Sequence, residues 1–536
     1  MRRAFATILI ACAAGGAPTF FEDRTPGSGI AFVLRNSATP EKHQIETMAG
    51  GVALLDYNHD GKLDIFFTNG AQEPSLKKVD SSYHNRLYRN RGDWTFEDVT
   101  DKAGVQGEGF SIAAAAADFD NDGWTDLFVA GVNRNILYRN RGDGTFEDVT
   151  AKAGVQNQGR WAVSAGWFDY DNDGRLDLFV VNYVKWDPAK EPFCGDPRTY
   201  RSYCHPRNYE GLANTLYHNN GDGTFTDVSE KSGIARYIGK GMGIAFADYD
   251  GDGYTDVFVA NDTVPNFLFH NERNGTFREV AFGAGVAMND DGRALSSMGV
   301  DFRDMNNDGR PDLFITALTN ETFPFYANRG NGFFTDATYQ SRIGAATLPL
   351  SGWSGGAYDF DNDGYKDLFA ACGDVQDTAA MGASRKSPQP NVLLVASGDG
   401  TFSPHEIGVP AWHRGAAFGD LDGDGRVDAV VTRIGGAPLL LRNIAGAGNH
   451  WLGLRLTGSR SNRDAIGARV HISTNSGEQW NHVTTAVGYA SSSDRAVHFG
   501  LGKDESVTSI EIIWPSGTSQ RLKDVRADRY VDVVEP

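Results

Sequence analysis

Four cysteines in 536 residues cannot staple a chain of this length, so a disulfide-rich scaffold is excluded. Nor do they make a zinc module. Cys194 and Cys204, ten apart in "EPFCGDPRTYRSYCHP", have His205 beside them but lack the rest of a four-ligand set. In an oxidising compartment this pair is expected to form a disulfide, the alternative being two unpaired loop thiols, while Cys372 reads as a small buried apolar residue. Positive charge is also short. Lys and Arg number 50 against 69 Asp and Glu, a formal net charge of −19, and no basic face invites nucleic acid. Long apolar runs are missing too, so no transmembrane span is expected. The one short run, in "MRRAFATILIACAAGGAP", follows two arginines and ends in small residues, so residues 1–17 read as an export signal. Within it, "LIAC" has the form of a bacterial lipobox, which would anchor a lipid on Cys12; a cut after Ala13 is the alternative. The expected location is periplasmic, extracellular or cell-surface.

What the chain has in excess is aspartate, in loops of one design. "DFDNDGWTD" sets Asp118, Asp120, Asp122 and Asp126 at positions one, three, five and nine, with Gly123 at the bend. Alternate residues of such a loop turn their oxygens inward around a calcium ion, and the carbonyl of position seven, here Trp124, joins them. A helical EF-hand would need Glu at position twelve, where Val129 stands, and "TDLFVAG" leaves the loop with the bias of a buried strand.

The same loop recurs seven times, roughly 50 to 80 residues apart. The first offers Asp56, Asn58, Asp60 and Asp64 with the Lys62 carbonyl. The third offers Asp169, Asp171, Asp173 and Asp177 with Arg175, and the fourth Asp248, Asp250, Asp252 and Asp256 with Tyr254. The fifth offers Asp304, Asn306, Asp308 and Asp312 with Arg310. The sixth offers Asp359, Asp361, Asp363 and Asp367 with Tyr365, and the seventh Asp420, Asp422, Asp424 and Asp428 with Arg426. Asn58 and Asn306 keep an oxygen but drop a charge, which predicts weaker binding in those two loops. Without a cation the convergent carboxylates would repel. The loops hold 26 aspartates, so the rest of the chain is net positive by about 7, and seven Ca²⁺ would bring the whole to about −5. Full oxygen shells leave no open position for a substrate, so the expected ions are structural.

A second phrase follows most loops, as in "NILYRNRGDGTFEDVTAKAGV" and "NTLYHNNGDGTFTDVSEKSGI". Apolar alternation about a Gly-rich turn is a hairpin. Each unit then holds four strands, one propeller blade. The seventh unit ends after "APLLLRN", and its missing arm stands at the start, where "FFEDRTPGSGIAF" matches "TFEDVTAKAGV". The expectation is an all-β chain: a seven-bladed β-propeller over 18–445, closed by its first strand. Residues 446–536 carry no aspartate loop and read as a separate small β-sandwich-like domain.

That last segment supplies a resemblance. "GLRLTGSRSNRDAIGARV", "VHFGLG" and "IEIIWPSG" resemble the ASPIC/UnbV domain, and the seven repeats resemble FG-GAP/VCBS repeats, as in integrin α propellers. Together they are similar to the cartilage acidic protein 1 family, which implies a secreted calcium-binding propeller with a C-terminal β domain. One departure is "VGYASSSDRAVHFGLG", where Ala486, Val487 and Tyr489 replace a Gly-rich phrase and leave its role open.

Topology puts the aspartate loops and the "GDGT" turns at one end of the strands. The insertions at 71–84, 183–213 and 373–389, with the connectors "AMNDDGRALSS" and "ATLPLSGW", fall at the other. Loops of varied length on a rigid scaffold make that the expected working face. Trp161, Lys240, Arg293, Trp353 and His413 are placed to ring a central pocket there; the alternative is packing between blades. His205, Asp262 and His413 are candidates for acid–base work on the same side. Three motifs mislead. "RGD" at 91–93 and 141–143 becomes "NGD" and "SGD" in other repeats, so it serves a turn. "GWSGG" has the esterase spacing, but Ser354 lies on a predicted strand with no helix after it. "NDT", "NGT" and "NET" are short sequons. The readings that remain are a binding module for a polysaccharide or extracellular protein, a carbohydrate lyase or hydrolase on the same face, and a structural spacer.

Overall fold

Small residues crowd the first strand of most repeats, as in "SIAAAAA", "AVSAGWF" and "GMGIAFA", and all of these residues are buried. Strands this poor in bulk suit the crowded axis of a ring. The computed structural model describes residues 19–378, 381 and 386–536, so the expected export signal and Cys12 lie outside the described residues. Within them, each aspartate loop joins the first two strands of a four-stranded antiparallel sheet, and there are seven such sheets. The second sheet runs Phe110–Ala117, Asp126–Val132, Ile136–Asn140 and Phe146–Asp148. Burial falls off along it, since the two inner strands are buried throughout and the outermost buries only Phe146.

The first strands of successive sheets touch in an unbroken circle, and the seventh, His413–Gly419, meets Val52–Leu55 of the first. The fold is a β-propeller. Its seam is closed as the sequence predicts: Phe21, Glu22 and Asp23 pair with Asn443, Arg442 and Leu441. Aromatic side chains fill the joints between sheets. Gly166 shows how tightly, for a Cβ there would fall 2.4 Å from the Phe246 ring of the next sheet.

Residues from His450 onward form a three-stranded and a four-stranded sheet. Leu452, Leu454, Val470, Ile472, Phe499, Ile510 and Trp514 share one core. This domain is not free-standing. It sits on the aspartate-loop end of the propeller, where Asp118 N donates to Asp464 Oδ2 (2.7 Å) and Tyr530 Oη to Asp420 Oδ2 (2.9 Å). Arg469 pairs with Asp248 at 2.9 Å.

Its loop "TTAVGYASSSD" (484–494) goes further and enters the bore of the ring. Gly488 N donates to Val300 O (2.8 Å), Ala114 N to Ala490 O (3.1 Å) and Ser492 N to Val52 O (2.9 Å). Ala490 N donates to Ser164 Oγ (3.0 Å), Tyr489 N to Ser354 Oγ (3.1 Å) and Asp494 N to Phe418 O (2.9 Å). Six of the seven first strands thus receive a partner from one loop. The cause is general: the innermost strand of each sheet has an edge of unpaired N–H and C=O groups, and buried backbone groups need partners. Tyr489 is fully buried, donates to Met48 O (2.7 Å) and packs against Trp353 at 5.3 Å between ring centroids. The phrase whose role the sequence left open is a plug.

Two histidines pin the same interface. His482 Nε2 lies 3.0 Å from Phe246 O and His498 Nε2 3.0 Å from Gly425 O. Burial, chiefly, holds them at about 3 and about 4, below the ordinary 6.5. The folded protein therefore binds fewer protons than the unfolded chain below about pH 6.5, so this stability is complete above that pH and lost as pH falls toward 4. At pH 5.5 the two rings together should cost about 2–3 kcal/mol. Thermal denaturation from pH 7.5 to 5 should show the decline, and a His482→Gln/His498→Gln protein should show it flattened.

Candidate metal centres

All seven loops are built alike. The first aspartate holds the turn: Asp118 accepts from Asp122 N (3.0 Å) and Gly123 N (2.8 Å), and Asp56, Asp169, Asp248, Asp304, Asp359 and Asp420 repeat the pair. The ninth aspartate, buried in every loop, closes it. Asp126 Oδ2 accepts from Phe119 N (3.1 Å), and its Oδ1 accepts from Asn140 N (2.7 Å) at the end of the third strand. The position-five carboxylate accepts from the position-seven amide, as from Trp124 at 2.9 Å, Arg175 at 2.9 Å and Tyr254 at 2.9 Å. Lys62, Arg310, Tyr365 and Arg426 repeat it.

The loops are also chained to one another. Asn140 Nδ2 donates to Thr125 O of its own loop (3.0 Å) and to Tyr57 O of the preceding one (2.8 Å). Asn90, Asn219, Asn271, Asn328 and Asn443 do the same; the sixth sheet has Ala396 there. At position four, Asn121, Asn172, Asn307 and Asn362 each donate to the position-six glycine carbonyl of the next loop. His59 instead stacks on Trp124 at 3.9 Å. Loops four and seven have glycine at position four, Gly251 and Gly423, and two clefts against the C-terminal domain open at these seams. One, of about 150 Å³, is lined by Gly251, Arg310, Arg469 and Trp480, and the other, of about 710 Å³, by Gly423, His59, Arg455 and Tyr530. Replacing Asn219 with Ala strands two buried carbonyls and should cost about 1–3 kcal/mol in denaturant unfolding. Asn220→Ala, at the exposed neighbouring turn, should cost less than about 0.5 kcal/mol.

The electrostatics call for a cation. Burial first, then the neighbouring carboxylate Asp177, pushes Asp169 up to about 8. Asp64 and Asp312 also rise to about 8, mainly through burial. Asp171, Asp361 and Asp422, all at position three, each keep one buried oxygen with no hydrogen-bond partner. One carboxylate oxygen each from Asp118, Asp120 and Asp122 lies within 4.8 Å of the other two, and Asp169, Asp171 and Asp173 repeat the arrangement. Such an all-oxygen set suits a hard divalent cation, and the orphaned position-three oxygens are where it would bind. Cations from the third strand reach the rim: Arg139 Nη2 to Asp122 (2.7 Å), Arg442 Nε to Asp422 (2.8 Å) and Arg89 to Asp60 (3.1 Å). The sequence reading missed this position, though "LYRN" and "LYHN" display it in the first three repeats and "LFHN" and "LLRN" in the fourth and seventh.

At the opposite end, among the described residues, the expected ring does not line an open pocket. Trp161 packs on Tyr183 (5.2 Å) and Trp186 (5.8 Å), and His413 Nδ1 contacts Cys372 O (2.9 Å). Trp353 lies under the Arg414 guanidinium at 4.0 Å. Lys240 Nζ donates to Pro206 O (2.8 Å), and Arg293 is out on the surface. The insertions cap this mouth: Tyr203 Oη donates to Glu46 (2.8 Å) and Tyr203 N to Gln376 (3.0 Å). Among the acid–base candidates, Asp262 accepts from Tyr183 Oη (2.7 Å) and His205 Nδ1 from Arg207 N (3.2 Å), so each has local partners of its own. Ser354 is fully buried. Asp143 of the second "RGD" accepts from Thr145 N (3.0 Å) within its turn, as Asp222 and Asp399 do in theirs. The "NDT" asparagine, Asn261, is buried. Cys194 and Cys204 are joined in a disulfide, and Cys372 is free and buried.

Repeat comparison agrees with this construction. The FG-GAP-like repeat family matches residues 56–129, 118–180, 208–259, 248–315 and 304–370, over half of the chain. The chain belongs to the FG-GAP-like repeat proteins. Residues 458–536 match the ASPIC and UnbV family, so the plug is a loop of the ASPIC/UnbV domain inserted into the FG-GAP ring. Cartilage acidic protein 1 of Mus musculus is 26% identical over 499 residues, 87% of this chain and 70% of that protein. The Xenopus tropicalis protein is 27% identical over 500 residues, with 87% and 70% covered. Among solved structures, an Agrocybe aegerita lectin specific for non-reducing terminal N-acetylglucosamine overlays with a TM-score of 0.37 at 16% identity, covering 73% of this FG-GAP chain and 87% of its own. That overlay is too loose to speak of ligand.

Proposed function

We propose that this is an exported, calcium-loaded, seven-bladed propeller that acts as a binding module for a polysaccharide or extracellular protein. The observation that carries the reading is the repeated loop: seven aspartate-rich seats tied to one another around the ring by asparagine side chains, which would make the ions part of the scaffold. With the bore plugged and one end covered by the C-terminal domain, the working surface is the insertion end, where residues 183–213 present Phe193 half-exposed under Arg201. The disulfide supports export. No helix among the described residues is long and apolar enough to cross a membrane.

A second reading has its own observation. Glu73, in the 71–84 insertion, has both carboxylate oxygens buried without a partner, and burial, reinforced by Glu46 and Glu191, pushes it up to about 9. A protonated acid beside other carboxylates is the pairing a glycosidase needs. Glycan-array binding with and without EDTA, followed by product analysis on any glycan bound, separates the two. Retention without turnover supports the module, and cleavage that disappears in Glu73→Gln replaces it with the enzyme. An array and a panel of extracellular proteins that give no calcium-dependent binding would refute the module.

A further inference from the structure

We propose that two of the seven loops, those of sheets three and four, bind a first-row transition-metal ion through a histidine nitrogen as well as carboxylates. The inference rests on the calcium reading of the loops and refines it. The repeats serve as their own control. The residue just before the bridging asparagine of each third strand (or its counterpart Ala396) is Arg89, Arg139 or Arg442 in three sheets and Ala327 or Val395 in two. In sheets three and four it is His218 and His270. A guanidinium has no lone pair to give, so Arg139 only donates hydrogen bonds to Asp120 and Asp122 from outside. An imidazole has one, and is a metal ligand.

The geometry repeats in both sheets. His218 Nδ1 lies 3.3 Å from Asp177 Oδ1 and 3.6 Å from Asp171 Oδ2. His270 Nδ1 lies 3.2 Å from Asp256 Oδ1 and 3.5 Å from Asp250 Oδ2. Ligands about 2.0–2.2 Å from a common ion are separated by roughly this much. His270 Nδ1 is a buried atom whose polar neighbours are the Asp256 and Asp250 carboxylates, and His218 Nδ1 differs only in that Tyr170 Oη also lies 3.4 Å from it. Tyr170 and Tyr249, at position two of their loops, pack edge-on against the two imidazoles at 5.8 and 6.1 Å and fix their planes. Nitrogen with carboxylates favours Zn²⁺, Co²⁺ or Mn²⁺ over Ca²⁺. In sheet four the cluster opens onto a cavity of about 560 Å³ lined by Asp250, His270, Arg278 and Phe333, which gives an ion a way in.

The test uses the full chain in millimolar Ca²⁺, titrated with Co²⁺ and read by its d–d absorption, with Mn²⁺ and pulsed EPR to detect ¹⁴N coupling. Two ions should bind with nitrogen coupling. His218→Ala and His270→Ala should each weaken one site by about 100-fold or more, and Arg139→His should create a third. Absent ¹⁴N coupling, or Co²⁺ binding indifferent to both histidine variants, would show rings that merely donate from outside as Arg139 does. The calcium-induced rise in Tm, taken on each variant, reports folding separately. If calcium stabilises the protein while the nitrogen signals are missing, this inference alone falls; if calcium stabilises nothing, the calcium reading falls with it.

Discussion

Stripping calcium with a chelator should lower Tm by roughly 10–20 °C, and restoring millimolar Ca²⁺ should recover it. Extracellular calcium modules bind at about 10⁻⁴ to 10⁻³ M. At millimolar calcium and a Kd of about 10⁻⁴ M, each filled site adds about 1.4 kcal/mol. Seven sites then contribute about 10 kcal/mol, comparable to the stability of a whole domain. In a chain this long each kcal/mol moves Tm by only about 1–2 °C, which sets the size of the shift. The asparagine links between loops add a further expectation, a cooperative loss in which the ring does not shed one blade at a time. Calorimetry with and without EDTA checks both, and a Tm that ignores the chelator would show the loops to be metal-free turns.

Gly488→Val should unseat the plug. Gly488 has φ +80°, and a Cβ there would lie 2.1 Å from the Ser354 side-chain Oγ and 2.9 Å from the Gly355 backbone O, adjacent residues on the first strand of the sixth sheet. Left-handed strain and overpacking together should cost roughly 3–5 kcal/mol. The first-strand amides and carbonyls that Ala490, Ser492 and Asp494 satisfy would lose partners with it. The expected signature is a single melting transition dividing into two, with protease sensitivity appearing near 444–449 where the chain passes between domains. Tyr489→Phe is the mild control: the ring still fills its place against Trp353, only the bond to Met48 O is lost, and the cost should be about 1 kcal/mol. If Gly488→Val melted as one unit at the wild-type temperature, the insertion of this loop would not be holding the two parts together.

The repeat unit was plain in the amino acids because charge and glycine fall at fixed spacing and strands alternate beside them. Even the closure by Phe21–Asp23 could be read, since a missing arm at one end matched a spare arm at the other. What covers a buried face could not. Trp161, Trp353 and His413 were placed around an open mouth, but Trp186, Arg414 and the Cys372 carbonyl occupy the space above them. The C-terminal segment looked detached because its own strands form two complete sheets. Its loop 484–494 has no periodicity, since its order comes from six different strands and not from its own pattern. The repeated asparagines were visible as letters, but a side chain that bridges two blades has meaning only once the blades are side by side.

The seam carries a consequence for how the protein is made. Phe21 leaves the ribosome 422 residues ahead of its partner Asn443. At about 5–20 residues per second, that strand waits roughly 20–80 s with nothing to pair with. The loop that fills the bore emerges later still. Biogenesis therefore has a vulnerable interval in which an unpaired β edge and an unfilled centre coexist, and holdase chaperones would find most of their opportunity there.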